Sequence, residues 1–198
     1  ENIMPLGANK AAIMGVAGVS TGDVVLLYDT DHSGVSSAAI TSGITSTYGE
    51  YIFKFYNINP STNAAAFQFN GSIDGGSNYN VPKTSVWWSA KHQEDDGGTH
   101  LTYSTTYSLD NATGYQFLFA AGNGADESLA GEIHLFNPSS TTYLKHYIFR
   151  VSGYGGDDEN YDCHGAGYFN DADDNIDAVN FSVASGNFDG TIKMWGVK

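Results

Sequence analysis

The chain contains few of the residues that crosslink or charge a protein. Cys163 is its only cysteine, so an intrachain disulfide is excluded. Acidic residues surround that cysteine, and we expect a buried, unreactive thiol there. Charged residues make up only 15% of the sequence, which leaves Ser, Thr, Asn, Gly and Tyr to cover the surface. Stability must therefore come from core packing, with oligomerisation as a further source.

Basic residues are especially scarce. Eight Lys and Arg residues stand against 22 Asp and Glu, which gives a formal net charge of −14. A chain this acidic repels phosphate backbones and anionic lipid surfaces, so the composition excludes nucleic acid and the membrane surface as main partners. No apolar run approaches the roughly 20 residues that a membrane-spanning helix needs.

Aromatic residues at every second position are the strongest pattern present. Tyr51, Phe53 and Phe55 stand at every second position, and Phe67 and Phe69 repeat the pattern after a short break. A period of two residues is typical of β-strands with one buried face. We predict that these five side chains pack inward together.

Turn signals separate many such segments. The dipeptides Asn70-Gly71 and Asp74-Gly75 tolerate positive φ and predict turns. The adjacent Trp87 and Trp88 must point to opposite faces if they lie in a strand. No sustained helical period occurs, although residues 174–179 are compatible with one helical turn.

The chain therefore predicts an all-β fold of roughly ten to twelve short strands at regular spacing. We expect one antiparallel β-sandwich, jelly-roll-like, over residues 23–198, preceded by a short N-terminal arm of residues 1–22. The arm is rich in glycine, alanine and scattered apolar residues, which cannot form a core of their own. We predict that it docks on a neighbouring subunit or on another protein.

One segment is a candidate cation site. Residues 155–175 are rich in Asp, Glu and Asn, and oxygen-rich loops suit Ca²⁺. The run from Asp171 begins like an EF-hand loop, but Ile176 stands where glycine is needed and Ser182 where a bidentate Glu is needed. The sequence predicts a solvated acidic loop, with structural Ca²⁺ as the alternative. His164 beside Cys163 lacks the paired spacing of a zinc site.

No catalytic motif stands out. The sequence has no G-x-S-x-G element, and its many carboxylates form no recognisable pair. We therefore predict no enzymatic activity, no catalytic residues, no metal and no cofactor. A different class of function is left open, because aromatic residues can stack on sugar rings while Asn and Asp bind hydroxyl groups. The candidates for that role are Trp87, Trp88, Tyr154, Tyr161, Tyr168 and Trp195.

Three segments resemble a known family. They are residues 47–79, residues 131–145, and residues 176–198, which end in GTIKMWGVK after a Ser-Gly-Asn turn. Together they resemble tailed-bacteriophage virion proteins, common in marine phages and described as tail-fibre or structural proteins. The resemblance implies a jelly-roll-like domain on the virion exterior, often a homotrimer, either as a tail-fibre head or as a capsid decoration protein. The alternative is a lectin-like, carbohydrate-binding module that recognises a host surface glycan.

Overall fold

Alternating strand-forming residues run through nearly all of the described chain. The structure is a computed structural model, and it describes residues 23–156 and 158–198. Within them lie twelve β-strands and no helix, so no helix there could cross a membrane. The strands are β1 (Val24–Val35), β2 (Ser37–Ile40), β3 (Glu50–Pro60), β4 (Ala65–Ser72), β5 (Lys83–Gln93), β6 (Thr99–Tyr103), β7 (Gln116–Ala121), β8 (Leu129–Phe136), β9 (Lys145–Gly155), β10 (Glu159–Phe169), β11 (Ala178–Val183) and β12 (Phe188–Val197).

The strands form two antiparallel sheets. The large sheet has the order β1-β12-β3-β8-β9-β10-β5-β6, and the small sheet has the order β2-β11-β4-β7. The chain passes from one sheet to the other repeatedly, as it does in jelly-roll sandwiches. The predicted all-β, antiparallel, jelly-roll-like sandwich is confirmed. The predicted arm, residues 1–22, lies outside the described residues.

The core fills the space between the two sheets with aromatic rings. Tyr51, Phe53 and Phe55 of the large sheet are buried, and so are Phe67 and Phe69 of the small sheet. This inward packing confirms the prediction from the period of two. A sixth ring, Phe181 in β11, lies at the centre of the group. Its centroid is 5.4 Å from that of Phe55 and 5.6 Å from that of Phe53.

Two local predictions are wrong. Asn70-Gly71 is not a turn, because both residues lie inside β4 and pair with Asn180 and Val179 of β11. Gly71 is required for packing instead, since a Cβ there would lie 2.9 Å from the Phe169 ring. Residues 174–179 form no helical turn, because Ala178 already begins β11. The turn predicted at Asp74-Gly75 is correct, and Gly75 has a φ of +70°.

The register of the large sheet aligns its side chains in rows across all eight strands. Trp88 pairs with Tyr103 on one side and with His164 on the other, and His164 pairs with Arg150. The row continues through Glu132, Lys54 and Lys193 to Asp29 at the far edge. Side chains in this row point away from the small sheet, because their neighbours along each strand form the core.

Candidate functional site

The face of the large sheet that points away from the small sheet is the candidate site, and we call it the outer face. Ten large hydrophobic side chains are exposed in the described residues, and eight of them lie on this face. Exposed apolar groups concentrated on one surface and edged by polar groups are typical of a binding site. The eight are Val24, Leu26, Tyr56, Val86, Trp88, Leu101, Tyr103 and Ile148.

Ion pairs occupy the middle of the outer face. Arg150 donates from Nε and Nη2 to the two carboxylate oxygens of Asp162, at 2.9 and 2.8 Å. Lys54 Nζ lies 3.1 Å from Glu132 Oε2 on the neighbouring strands. These pairs leave donors and acceptors facing solvent, because Arg150, Lys54 and Glu132 are each more than a third exposed.

The cations keep the two carboxylates ionised. The hydrogen bond from Arg150 is the main reason that the pKa of Asp162 lies below its ordinary value. The hydrogen bond from Lys54 similarly lowers the pKa of Glu132. A general acid needs the opposite shift, since it must hold a proton near neutral pH. These carboxylates are therefore suited to accepting hydrogen bonds.

An aromatic platform lies beside the ion pairs. The indole of Trp88 stacks on the imidazole of His164 with centroids 4.2 Å apart and planes 2° apart. His164 Nε2 also lies 3.0 Å from Asp162 Oδ1, which fixes the ring. Trp88 retains 38% of its surface exposed, and Tyr103 opposite it on β6 retains 58%. The platform thus presents flat apolar surface next to charged hydrogen-bonding groups.

Described residues of the outer face line three adjoining hollows. The largest, about 480 Å³, contains Lys54, Tyr56, Glu132, Arg150 and Asp162 in its walls. A second, of about 300 Å³, shares Glu132 and Arg150 with it and reaches Trp88 and His164. The third, also about 300 Å³, shares Val86, Ile148 and Ala166 with the second and extends to Tyr168. The shared walls make one extended depression.

The sequence predicted six aromatic candidates, and the structure separates them by face. Trp88, Tyr154, Tyr168 and Trp195 lie at outward positions of β5, β9, β10 and β12. Trp87 and Tyr161 face inward. Trp87 is 5% exposed and donates from Nε1 to the carbonyl of Leu118 at 3.2 Å. The prediction that Trp87 and Trp88 point to opposite faces is confirmed.

The predicted acidic loop is largely a strand. β10 covers Glu159–Phe169 and pairs with both β9 and β5, so the prediction of a loop over residues 155–175 is wrong there. The segment forms a strand because its residues alternate between the two faces of the sheet, with Cys163, Gly165 and Gly167 toward the core. In the segment that follows β10, the Asp171 carbonyl accepts a hydrogen bond from the ammonium of Lys145. The described residues include no group of three or more His, Cys, Asp or Glu side chains arranged to hold a metal.

Cys163 is buried in the core, as predicted. Burial is the main reason that its pKa rises to about 12. A thiol with so high a pKa is almost entirely protonated near neutral pH, so it is not a nucleophile.

Sequence reasoning missed the polar part of the site. Arg150, Asp162, Glu132, Lys54 and His164 are dispersed over four strands, and only Asp162 and His164, two residues apart in β10, are linked by their spacing. Each does stand at an outward position of its strand, so the period of two carried part of the signal. The missing information was the strand order, which brings β10 beside β9 and β9 beside β8.

Comparisons with known proteins add little. No family model matches the chain, and no curated protein matches it significantly. A crystal structure of family 7 alginate lyase A1-II′ with bound substrate aligns with 91% of this chain and 86% of its own, at 11% identity and a TM-score of 0.23. A second structure of that lyase, with product, aligns with 72% and 63%, at 9% identity and a TM-score of 0.16. Scores this low carry no argument about function.

Proposed function

We propose that this chain is a non-enzymatic carbohydrate-binding module that holds a glycan on the outer face of its large sheet. The observation that carries the proposal is that eight of the ten large hydrophobic side chains exposed among residues 23–156 and 158–198 lie on that face. Four of the eight, Tyr56, Val86, Trp88 and Ile148, line the depression that also contains the hydrogen-bonding groups.

The chemistry of the face matches the two kinds of surface that a sugar presents. The C–H faces of pyranose rings are apolar and can pack on Trp88 and Tyr103. The hydroxyl groups around each ring need donors and acceptors, which Arg150, Asp162 and Glu132 supply. A site of this kind combines apolar contact area with a few placed polar groups, as small-molecule sites usually do.

The ionised state of the two carboxylates on the outer face favours binding without turnover. Glycoside hydrolysis requires one carboxylic acid with a raised pKa to protonate the leaving group. Asp162 and Glu132 both have lowered pKa values, because Arg150 and Lys54 bind their ionised forms. Neither carboxylate is suited to the acid role.

Glycan arrays followed by calorimetry test the proposal. We expect the folded chain to bind at least one bacterial surface polysaccharide on the array. The variants Trp88→Ala and Tyr103→Ala should each weaken binding to that polysaccharide about tenfold or more, equivalent to about 1.4 kcal/mol. Tyr143→Ala is the matched control, because Tyr143 is 71% exposed but lies between β8 and β9 and outside the outer face. Absence of any hit, or equal loss in the control, contradicts the proposal.

We further propose that the module belongs to a phage virion exterior, as a tail-fibre head or a capsid decoration protein. The support is the resemblance of residues 47–79, 131–145 and 176–198 to such proteins, together with the low content of charged residues. Host-surface recognition would then be the purpose of the glycan site. Electron microscopy of particles labelled with an antibody against this chain tests the location, and unlabelled particles would contradict it.

The virion proposal carries two predicted partners. One is a second and third copy of this chain in a homotrimer, which light scattering at micromolar concentration tests. The other is a virion protein bound by the N-terminal arm, residues 1–22. Deletion of those residues should leave the sandwich folded and abolish incorporation into particles.

A further inference from the structure

A lysine is buried in the sandwich without a negative partner. Lys83, the first residue of β5, has no exposed surface. Its Nζ donates to Asn70 Oδ1 at 2.7 Å and to the Val81 carbonyl at 2.9 Å, and it lies 5.6 Å from the Phe169 ring centroid. No carboxylate of the described residues forms an ion pair with Lys83. A buried ammonium without an anion is unfavourable, so this group requires an explanation.

Burial also makes this lysine a potential nucleophile. Desolvation lowers the pKa of Lys83 to about 7, so a large share of the side chain is the neutral amine at physiological pH. Only the neutral amine has a free electron pair, and buried lysines with lowered pKa values are the ones that proteins use as nucleophiles.

The carboxamide of Asn70 is held rigidly beside the amine. Asn70 is fully buried in β4 of the small sheet. Its Oδ1 accepts a hydrogen bond from the backbone N–H of Gly71 at 2.8 Å. Its Nδ2 donates to the carbonyls of Tyr79 at 2.6 Å and Thr113 at 3.0 Å. A donor thus faces the oxygen that becomes negative during attack on Cγ, and two acceptors face the nitrogen that would leave.

We propose that Lys83 and Asn70 form an intramolecular isopeptide bond between the two sheets. The Nζ electron pair attacks Asn70 Cγ and gives a tetrahedral adduct whose Oδ1 is stabilised by the Gly71 N–H. One Nζ proton transfers to Nδ2, the Cγ–Nδ2 bond breaks, and ammonia departs. The Nζ–Cγ amide that forms is neutral, and no oxidant or other reactant is consumed.

The bond accounts for the buried amine and has a structural consequence. It removes an unpaired cation from the core permanently, because an amide nitrogen does not protonate at neutral pH. It also joins β4 of the small sheet to β5 of the large sheet. A sandwich with no possible intrachain disulfide thereby gains a covalent link between its layers.

The intact mass of the wild-type chain tests the proposal directly. Protein refolded from denaturant and incubated to constant mass should weigh less than its sequence by one ammonia. Protein recovered unfolded from inclusion bodies and kept in denaturant throughout should show the full sequence mass. A refolded wild-type chain that retains the full mass overturns the proposal.

Formation of a succinimide at Asn70-Gly71 would cause the same loss of mass as the isopeptide. The two products must therefore be distinguished by their proteolytic peptides. Trypsin together with a protease that cleaves before Asp74 yields residues 55–73 and residues 74–91 when Lys83 is acylated, because trypsin cannot cleave there. The isopeptide keeps these two peptides joined as one species. A succinimide leaves them separate and allows cleavage after Lys83, and that pattern overturns the proposal.

Two variants complete the test. Lys83→Met removes the amine while keeping the length of the side chain, and it should abolish the ammonia loss. Lys145→Met is the matched control, because Lys145 is also fully buried but donates to the Asp171 carbonyl. If Lys145→Met folds, it should retain the loss, and retention of the loss in Lys83→Met contradicts the proposal.

Discussion

The two faces of the large sheet are made by alternate residues of the same strands, yet they differ in chemistry. In β3, Phe53 and Phe55 point inward and are 1% exposed, whereas Lys54 and Tyr56 between them reach solvent. In β10, Cys163 is buried beside an outward His164. The inner face is therefore constrained by packing, and the outer face is free to carry recognition. Alternation alone lets one strand serve both purposes.

The largest expected difference between the faces is in thiol reactivity. We expect iodoacetamide at pH 8 to modify Cys163 roughly a thousandfold more slowly than an ordinary thiol with a pKa near 8.5, because burial raises its pKa to about 12. The variant Ser152→Cys places a second thiol on the outer face, where Ser152 is exposed and pairs with Asp162. Peptide mass spectrometry measures both rates in one molecule. Similar rates at the two positions would mean that Cys163 does not face the core.

Next in size is the effect of removing an aromatic ring from each face of β3. Phe55→Ala should lower the free energy of unfolding by about 3–5 kcal/mol, because it leaves a cavity beside Phe67 and Phe181. Tyr56→Ala, one residue away on the outer face, should change it by less than about 0.5 kcal/mol. Urea denaturation followed by fluorescence measures both. Equal losses would show that the outer face is also a packing surface.

The adjacent residues Trp87 and Trp88 should show a smaller difference in stability between the two faces, and Trp88 relates that difference to glycan binding. Trp87→Phe removes the buried hydrogen bond to the Leu118 carbonyl and should cost about 1–3 kcal/mol. Trp88→Phe should cost less than about 0.5 kcal/mol. Because phenylalanine still offers a ring to a sugar, Trp88→Phe should bind the glycan better than Trp88→Ala. Thermal unfolding and calorimetry distinguish these outcomes, and a stability loss only in Trp88→Phe would reverse the assignment of faces.

The smallest expected effect is the pH dependence of the outer ion pairs. The folded-state pKa of Asp162 is lowered, so its stabilising contribution is complete above the unfolded value of about 3.9 and is lost as pH falls through the folded value. Wild type should therefore exceed Asp162→Asn in stability by a small amount at about pH 5. That margin should shrink as the pH falls from about 5 to about 2. A margin that grows over this range would have the wrong sign.

Sequence reasoning succeeded where a short pattern was sufficient. The alternation at Tyr51, Phe53 and Phe55 predicted both a strand and its buried side, and the adjacent tryptophans were assigned to opposite faces. It failed at Asn70-Gly71, where a dipeptide typical of turns lies in a strand. There the carboxamide donates to the Tyr79 and Thr113 carbonyls, 9 and 43 residues further along the chain, and these bonds override the local preference. It failed likewise over residues 159–164 of β10, where acidic residues concealed the alternation.

The sequence by itself determined the all-β class, the sandwich and the inward side of five core aromatics, because a period of two residues is a local property. These five are Tyr51, Phe53, Phe55, Phe67 and Phe69. Only the tertiary structure decided which outward residues become neighbours. Trp88, His164, Arg150 and Glu132 stand on four different strands, and hydrogen-bonded register brings them into one row. The meeting of Lys83 with Asn70 has the same origin, since one lies in each sheet. Such contacts depend on strand order and sheet stacking, which are set by the packing of the whole core and which no short segment encodes.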